Sequence, residues 1–170
     1  MPNFGAFGNI NHPLTVAGAA ETGSNEGVLY YATTNLQNVG PNGFLVLQVS
    51  NPTTANRAVR IVRVQGGGLV NSTLYYVRNG TLNGGVALSA FNGNFGFSDV
   101  SQMIPSFSTS TALPVTGGAT LSVSIQTTGT PVNDENGRLI IPPGGRFLVV
   151  LQKNVAGTNA MSIAVSWTEF

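Results

Sequence analysis

Glycine and proline break this chain so often that no helix is readily placed in it. Twenty-two glycines, nine prolines and repeated Asn-Gly pairs divide 170 residues into short apolar runs. That spacing is expected of strands and turns in a β-sandwich or barrel. The clearest strands alternate. Leu121, Val123 and Ile125 should face a core while Ser122, Ser124 and Gln126 face water. Met161, Ile163, Val165 and Trp167 repeat the pattern against Ser162, Ala164, Ser166 and Thr168. Between these two segments, the turn signal PPGG at 142–145 leads into RFLVVLQ, whose run from Phe147 to Leu151 is apolar on both faces. A central, covered strand reads this way.

Further strands are expected in GVLYYAT, GFLVLQVSN, RAVRIVRVQ, STLYYVRN and VALSAF, with a weaker one near ALPV. In RAVRIVRV the threefold spacing of Arg57, Arg60 and Arg63 fits a helix face, but the β-branched Val59, Ile61, Val62 and Val64 favour a strand. Strict alternation would then send Arg57 and Arg63 to one face and Arg60 to the other. Residues 101–118 are rich in Ser, Thr, Pro and Gly and read as a long connection between sheets. The expected fold is all-β: a jelly-roll-like antiparallel β-sandwich of about eight or more strands at 19–170, preceded by an extended arm at 1–18.

Composition narrows the function classes. A chain of this length buries about 70% of its unfolded surface as one domain, so it needs no staples. There is no cysteine, which removes disulfides, iron-sulfur clusters and thiolate zinc sites. Charged residues are 8% of the chain, against roughly 25% in ordinary soluble domains. The formal net charge is +1, and Lys153 is the single lysine. So little charge neither attracts nucleic acid nor keeps copies apart. No apolar run approaches the roughly 20 residues of a membrane span. No Lys or Arg precedes Arg57, so a secretory n-region is absent from the sequence, and Met1 suggests an unprocessed start.

No reaction is legible. His12, the only histidine, lies before Pro13 in the arm, where no scaffold would orient it as a base. The carboxylates Glu21, Glu26, Asp99, Asp134, Glu135 and Glu169 form no recognisable pair in sequence. Asn133, Asp134, Glu135 and Asn136 offer oxygen ligands for calcium, but without EF-hand spacing the expected reading of NDENG is a turn between strands. The GGG at 66–68 lacks a following helix to cradle phosphate and reads as a loop. Tyr30-Tyr31 and Tyr75-Tyr76 should each send one ring to each face of a strand. The chain is therefore expected to be no enzyme and to hold no cofactor, metal or small-molecule ligand.

The amino end carries the remaining signal. Phe4, Phe7 and Ile10 are three apart, as along one side of a polyproline-II-like chain, and Ile10, His12, Leu14 and Val16 alternate as a strand would. Sixteen extended residues reach about 50 Å, more than the roughly 40 Å diameter of a compact domain of this length. Ordering them costs on the order of 16 to 30 kcal/mol of backbone entropy. Burying Phe4, Phe7, Ile10, Leu14 and Val16 returns about 8 to 15 kcal/mol. An ordered arm must therefore also satisfy its backbone, as β-augmentation of a neighbour's sheet would. The expected partner is another copy of the chain.

The ending GGRFLVVLQKNVAGTNAMSIAVSWTEF, with the amino-terminal connector and charge-poor β body, resembles the jelly-roll subunits of bacterial endospore appendages and other spore-surface proteins. The resemblance implies an extracellular structural fibre in which a connector, here residues 1 to about 16, links stacked subunits. Appendage subunits of this kind typically crosslink through cysteines. This chain has none, so covalent linkage is not implied. Two alternatives stand beside the filament or surface layer: a carbohydrate- or receptor-binding module using Tyr and Trp167, and a viral capsid or tail component.

Overall fold

The computed structural model describes residues 18–170. In chain order it contains one helix, α1 (Ala19–Asn25), and strands β1 (Leu29–Thr33), β2 (Gln37–Val39), β3 (Phe44–Ser50), β4 (Val59–Gly68) and β5 (Ser72–Arg78). Five strands follow in one excursion: β6 (Thr81–Leu82), β7 (Val86–Ala87), β8 (Phe91–Asn92), β9 (Ile104–Ser110) and β10 (Val115–Thr116). The chain ends with β11 (Ala119–Gln126), β12 (Val132–Ile141), β13 (Arg146–Lys153) and β14 (Asn159–Glu169).

Two antiparallel six-stranded sheets pack as a sandwich. One runs β12-β4-β14-β1-β8, with β2 also paired to β14; the other runs β11-β5-β13-β3-β9-β7. If the excursion and β2 are set aside, eight strands remain. In chain order the first, eighth, third and sixth of these form one sheet, and the second, seventh, fourth and fifth the other. This is the double Greek key of a jelly roll, as the strand pattern predicted.

The alternating residues of β14 enter the core as expected: Met161, Ile163, Val165 and Trp167 are all buried. Tyr30 stacks on Trp167 at 6.4 Å between ring centroids, and Tyr76 meets Phe147 edge-on at 5.3 Å. β13 lies between β5 and β3 and is buried on both faces, because Val46, Val77, Leu82, Leu148 and Val150 form a second apolar cluster on the outer side of its sheet. The short ribbon of β6 and β10 lies over that cluster.

Several local expectations are corrected. Residues 19–25 are helical: the stretch AAETGSN contains a single β-branched residue, and Gly27, in the left-handed region at φ 69°, ends the turn. VALSAF is not one strand; it supplies β7 to one sheet and β8 to the other. The 101–118 connection contains β9, which pairs with β3 along seven residues. The GGG segment ends β4 instead of forming a loop. There the missing side chains let the 129–130 backbone approach, with Gly68 and Gly129 exchanging hydrogen bonds of 2.9 and 2.7 Å. NDENG is a bulge inside β12, where Asn136 and Gly137 take positive φ, and not a turn between strands. A bulge at Val62 lets both Ile61 and Val64 enter the core, so Arg60 and Arg63 share the outer face that strict alternation would have divided.

Lys153 is fully buried at the end of β13. Its Nζ donates to the carbonyl of Val39 at 3.0 Å, to Asn159 Oδ1 at 3.3 Å and to the carbonyl of Gly157. The ammonium thus ties β2 to the β13–β14 turn through neutral acceptors. Lys153→Met fills similar space but leaves these acceptors without their donor. It should lower unfolding free energy by at least about 2 kcal/mol, read from urea titrations; an unchanged midpoint would show the clamp to be dispensable.

Candidate assembly edge

The two flanks of the sandwich are built differently. On one flank the 79–118 excursion extends both sheets, so the outermost strands are β8 and β7, each two residues long. Very short outer strands offer little backbone to pair with. On the other flank, among the described residues, β11 pairs only with β5 and β12 only with β4. β12 is guarded by its bulge and by Asp134, Glu135 and Arg138. β11, with the sequence ATLSVSIQ, carries no charge and no proline, and only a bulge between Thr120 and Ser122 interrupts it.

β11 also corrects the clearest strand expectation. Its register on β5 places Ser122 opposite Tyr76 and Ser124 opposite Leu74, both core positions, so the serines face inward. Val123 and Ile125 lie opposite Tyr75 and Thr73 and point outward. Val123 and Ile125 are 56% and 86% exposed, whereas Gln126 is buried; Leu121, the bulged residue, turns instead toward Leu139, Ile141 and Phe147. An apolar stripe therefore runs along an open strand edge. Sequence reading identified the alternating pattern and assigned the faces of Ser122 to Gln126 the wrong way round, because register and bulges on a partner strand are invisible in the chain itself.

Serine at the inward positions leaves the interior of this flank polar. A cleft of about 120 Å³ lies between the sheets, lined by Leu74, Tyr76, Ser122, Ser124, Asn133 and Glu135. Tyr76 is buried and its hydroxyl has no hydrogen-bond partner among the described residues. Burial, then the Glu135 carboxylate, pushes its phenol up to about 12.

The other residues singled out from sequence do not converge. Phe4, Phe7, Ile10, His12, Leu14 and Val16 lie outside the described residues. Asp134 pairs with Arg63 at 2.6 Å and Glu135 with Arg138 at 3.5 Å, so the NDENG carboxylates are already engaged by arginines. Glu169 is buried and accepts from Ser101 Oγ at 2.5 Å, Trp167 Nε1 at 3.1 Å and the Gln102 amide at 3.2 Å, with Arg57 3.8 Å away. These contacts fasten the last strand to the loop before β9. Among the described residues no three of His, Cys, Asp and Glu are grouped to hold a metal ion. Trp167 is fully buried and offers no ring to a ligand. The tyrosine pairs divide between faces as expected, with Tyr30 buried and Tyr31 exposed, and Tyr76 more buried than Tyr75.

Two outcomes are expected. Ile125→Lys places a charge on the exposed stripe and should leave the thermal midpoint within a few degrees of wild type while reducing association, seen by sedimentation velocity. Tyr76 sets an alkaline limit. Both folded and unfolded states hold its proton below pH 10, and between pH 10 and about 12 only the unfolded state releases it, so stability falls as pH rises through that window. Tyr76→Phe should shallow this loss in urea titrations at pH 9 and pH 11. No protein-family model matches the chain, and neither a curated protein nor a solved structure matches it.

Proposed function

We propose that this protein is a non-enzymatic structural subunit that self-assembles into an extracellular filament or surface layer, with residues 1–17 of one copy docking on β11 of the next. The observation that carries this reading is the uncharged edge of β11, with Val123 and Ile125 exposed along it. Among the described residues its second edge has no partner strand, and a strand laid along it would satisfy both backbone and side chains.

The arm suits that edge. Residues 10–16 are one residue shorter than β11, place Ile10, His12, Leu14 and Val16 on one face, and carry no acidic or basic residue other than His12. Pairing along the edge supplies the backbone hydrogen bonds that arm burial alone lacks. Because donor and acceptor are different surfaces, each copy can give one contact and receive another, and the assembly runs on into a ring or filament. A surface with 8% charged residues adds little repulsion to oppose it. The resemblance to spore-appendage subunits points the same way, toward a connector that links stacked jelly rolls at a cell or spore surface.

A variant lacking residues 1–17 should remain folded by circular dichroism and sediment as a monomer under conditions where the full chain forms large particles. Particles of unchanged size by light scattering would sink the arm's role. Negative-stain images of the full chain separate filament, ring and shell.

A further inference from the structure

The loop between β8 and β9 presents a side chain that the fold does not use. Phe95 is 99% exposed at its tip, beside the exposed Phe91, Phe97 and Val100. An aromatic so exposed is usually carried on a mobile segment, but this loop is braced. Asn92 Nδ2 donates to the Gly27 carbonyl at 2.6 Å, and Asn92 Oδ1 accepts from the Asn94 amide at 2.8 Å. Asn94 Nδ2 donates to the Ser24 carbonyl at 2.9 Å, and its Oδ1 accepts from the Gly96 amide at 3.0 Å. The Gly93 and Phe97 amides donate to the carbonyls of Leu29 and Asn94. Two asparagines thus hold the tip against α1 and β1. A ring fixed in advance loses little entropy when it is buried against a partner.

The opposite flank offers a place for such a ring. On the outer face of the sheet containing β11, Phe44, Tyr75, Val77, Leu113, Val115 and Val150 line a groove of about 280 Å³ that no charged residue lines. A cavity of roughly 150 Å³ holds a benzene ring, so the groove has room for a phenyl group. Its floor is the outer apolar cluster of β3, β5 and β13, half covered by the β6–β10 ribbon and open beside Thr120 of β11. The loop after β8 lies at the far edge of the first sheet from β12, whereas the groove lies toward the β11 side of the second. A ring on one flank and a groove on the other cannot meet within one molecule, but they meet between copies related head to tail.

We propose that Phe95 is a preorganised knob that seats in the outer-face groove of a second copy of the chain. The contact presupposes self-assembly and assigns which faces of the folded domain meet. It is separate from the arm, which would pair with the edge of β11 and leave the groove on the face free. An exposed aromatic entering an uncharged pocket has the character of an interface hot spot, and its removal should weaken association at least about thirty-fold.

The test uses full-length chains in sedimentation velocity over a concentration series. Phe95→Asp removes the knob without touching the core, and Leu113→Glu charges the wall of the groove at a residue that is 53% exposed. Each variant should keep the wild-type thermal midpoint and associate at least thirty-fold more weakly. Mixed in equal amounts, they should associate more strongly than either does alone at the same total concentration, since one keeps its groove and the other its knob. If wild type assembles and Phe95→Asp assembles equally well, the knob is overturned and self-assembly stands. If both variants are weakened but mixing restores no association, Phe95 does not meet this groove. A wild-type chain that stays monomeric throughout overturns both.

Discussion

The sandwich depends on the two strands made last. β13 lies between β5 and β3, and β14 lies between β4 and β1, so the centre of each sheet is missing until the final quarter of the chain is in place. β1 pairs with β14 from Leu29 to Thr168, nearly the whole length of the described chain. Such non-local pairing makes closure slow relative to helical folds, because loop entropy is lost before contacts form. Until then β3, β4 and β5 present apolar faces with no partner. Low charge and high Asn, Ser and Thr content make the finished surface hydrogen-bond readily without imposing electrostatic repulsion.

The fold was legible where alternation or double-sided burial marks a strand. Met161 to Trp167 and Phe147 to Leu151 were placed correctly, because their apolar residues leave no other solution than a sheet interior. The candidate edge was legible only in part. ATLSVSIQ is plainly a strand, but which of its faces meets the core follows from its pairing with Tyr76 and Leu74 of β5, some 45 residues earlier. Bulges defeated strict alternation at Val62 and within NDENG for a similar reason: extra residues in one strand are defined only against the strand beside it. The braced loop at Phe95 escaped notice because NGNFGF resembles flexible composition, and its asparagines acquire structural roles only against Ser24 and Gly27.

The 79–118 excursion makes the domain asymmetric. A bare eight-stranded jelly roll exposes an edge pair on each flank. Here one pair is extended by β8, β9 and β7 and ends in two-residue strands, while the other keeps eight- and ten-residue edges. The same excursion supplies the ribbon over the outer apolar cluster and the loop that carries Phe95. One insertion thus covers part of each edge on one side of the molecule, and gives the two sides different chemistry.

The buried position of Lys153 has a chemical consequence beyond stability. It is the only lysine in the sequence, and its ammonium is enclosed by carbonyl and amide oxygens. The folded protein therefore presents no side-chain amine to its surroundings. Acylation, aldehyde addition, glutamine-to-lysine crosslinking and ubiquitin-type tagging commonly use a lysine amine. A surface built of amides, hydroxyls and six arginines offers no lysine to that chemistry. With no thiol in the sequence and its one lysine amine buried, the folded chain offers neither of the two side-chain nucleophiles that most often join proteins covalently.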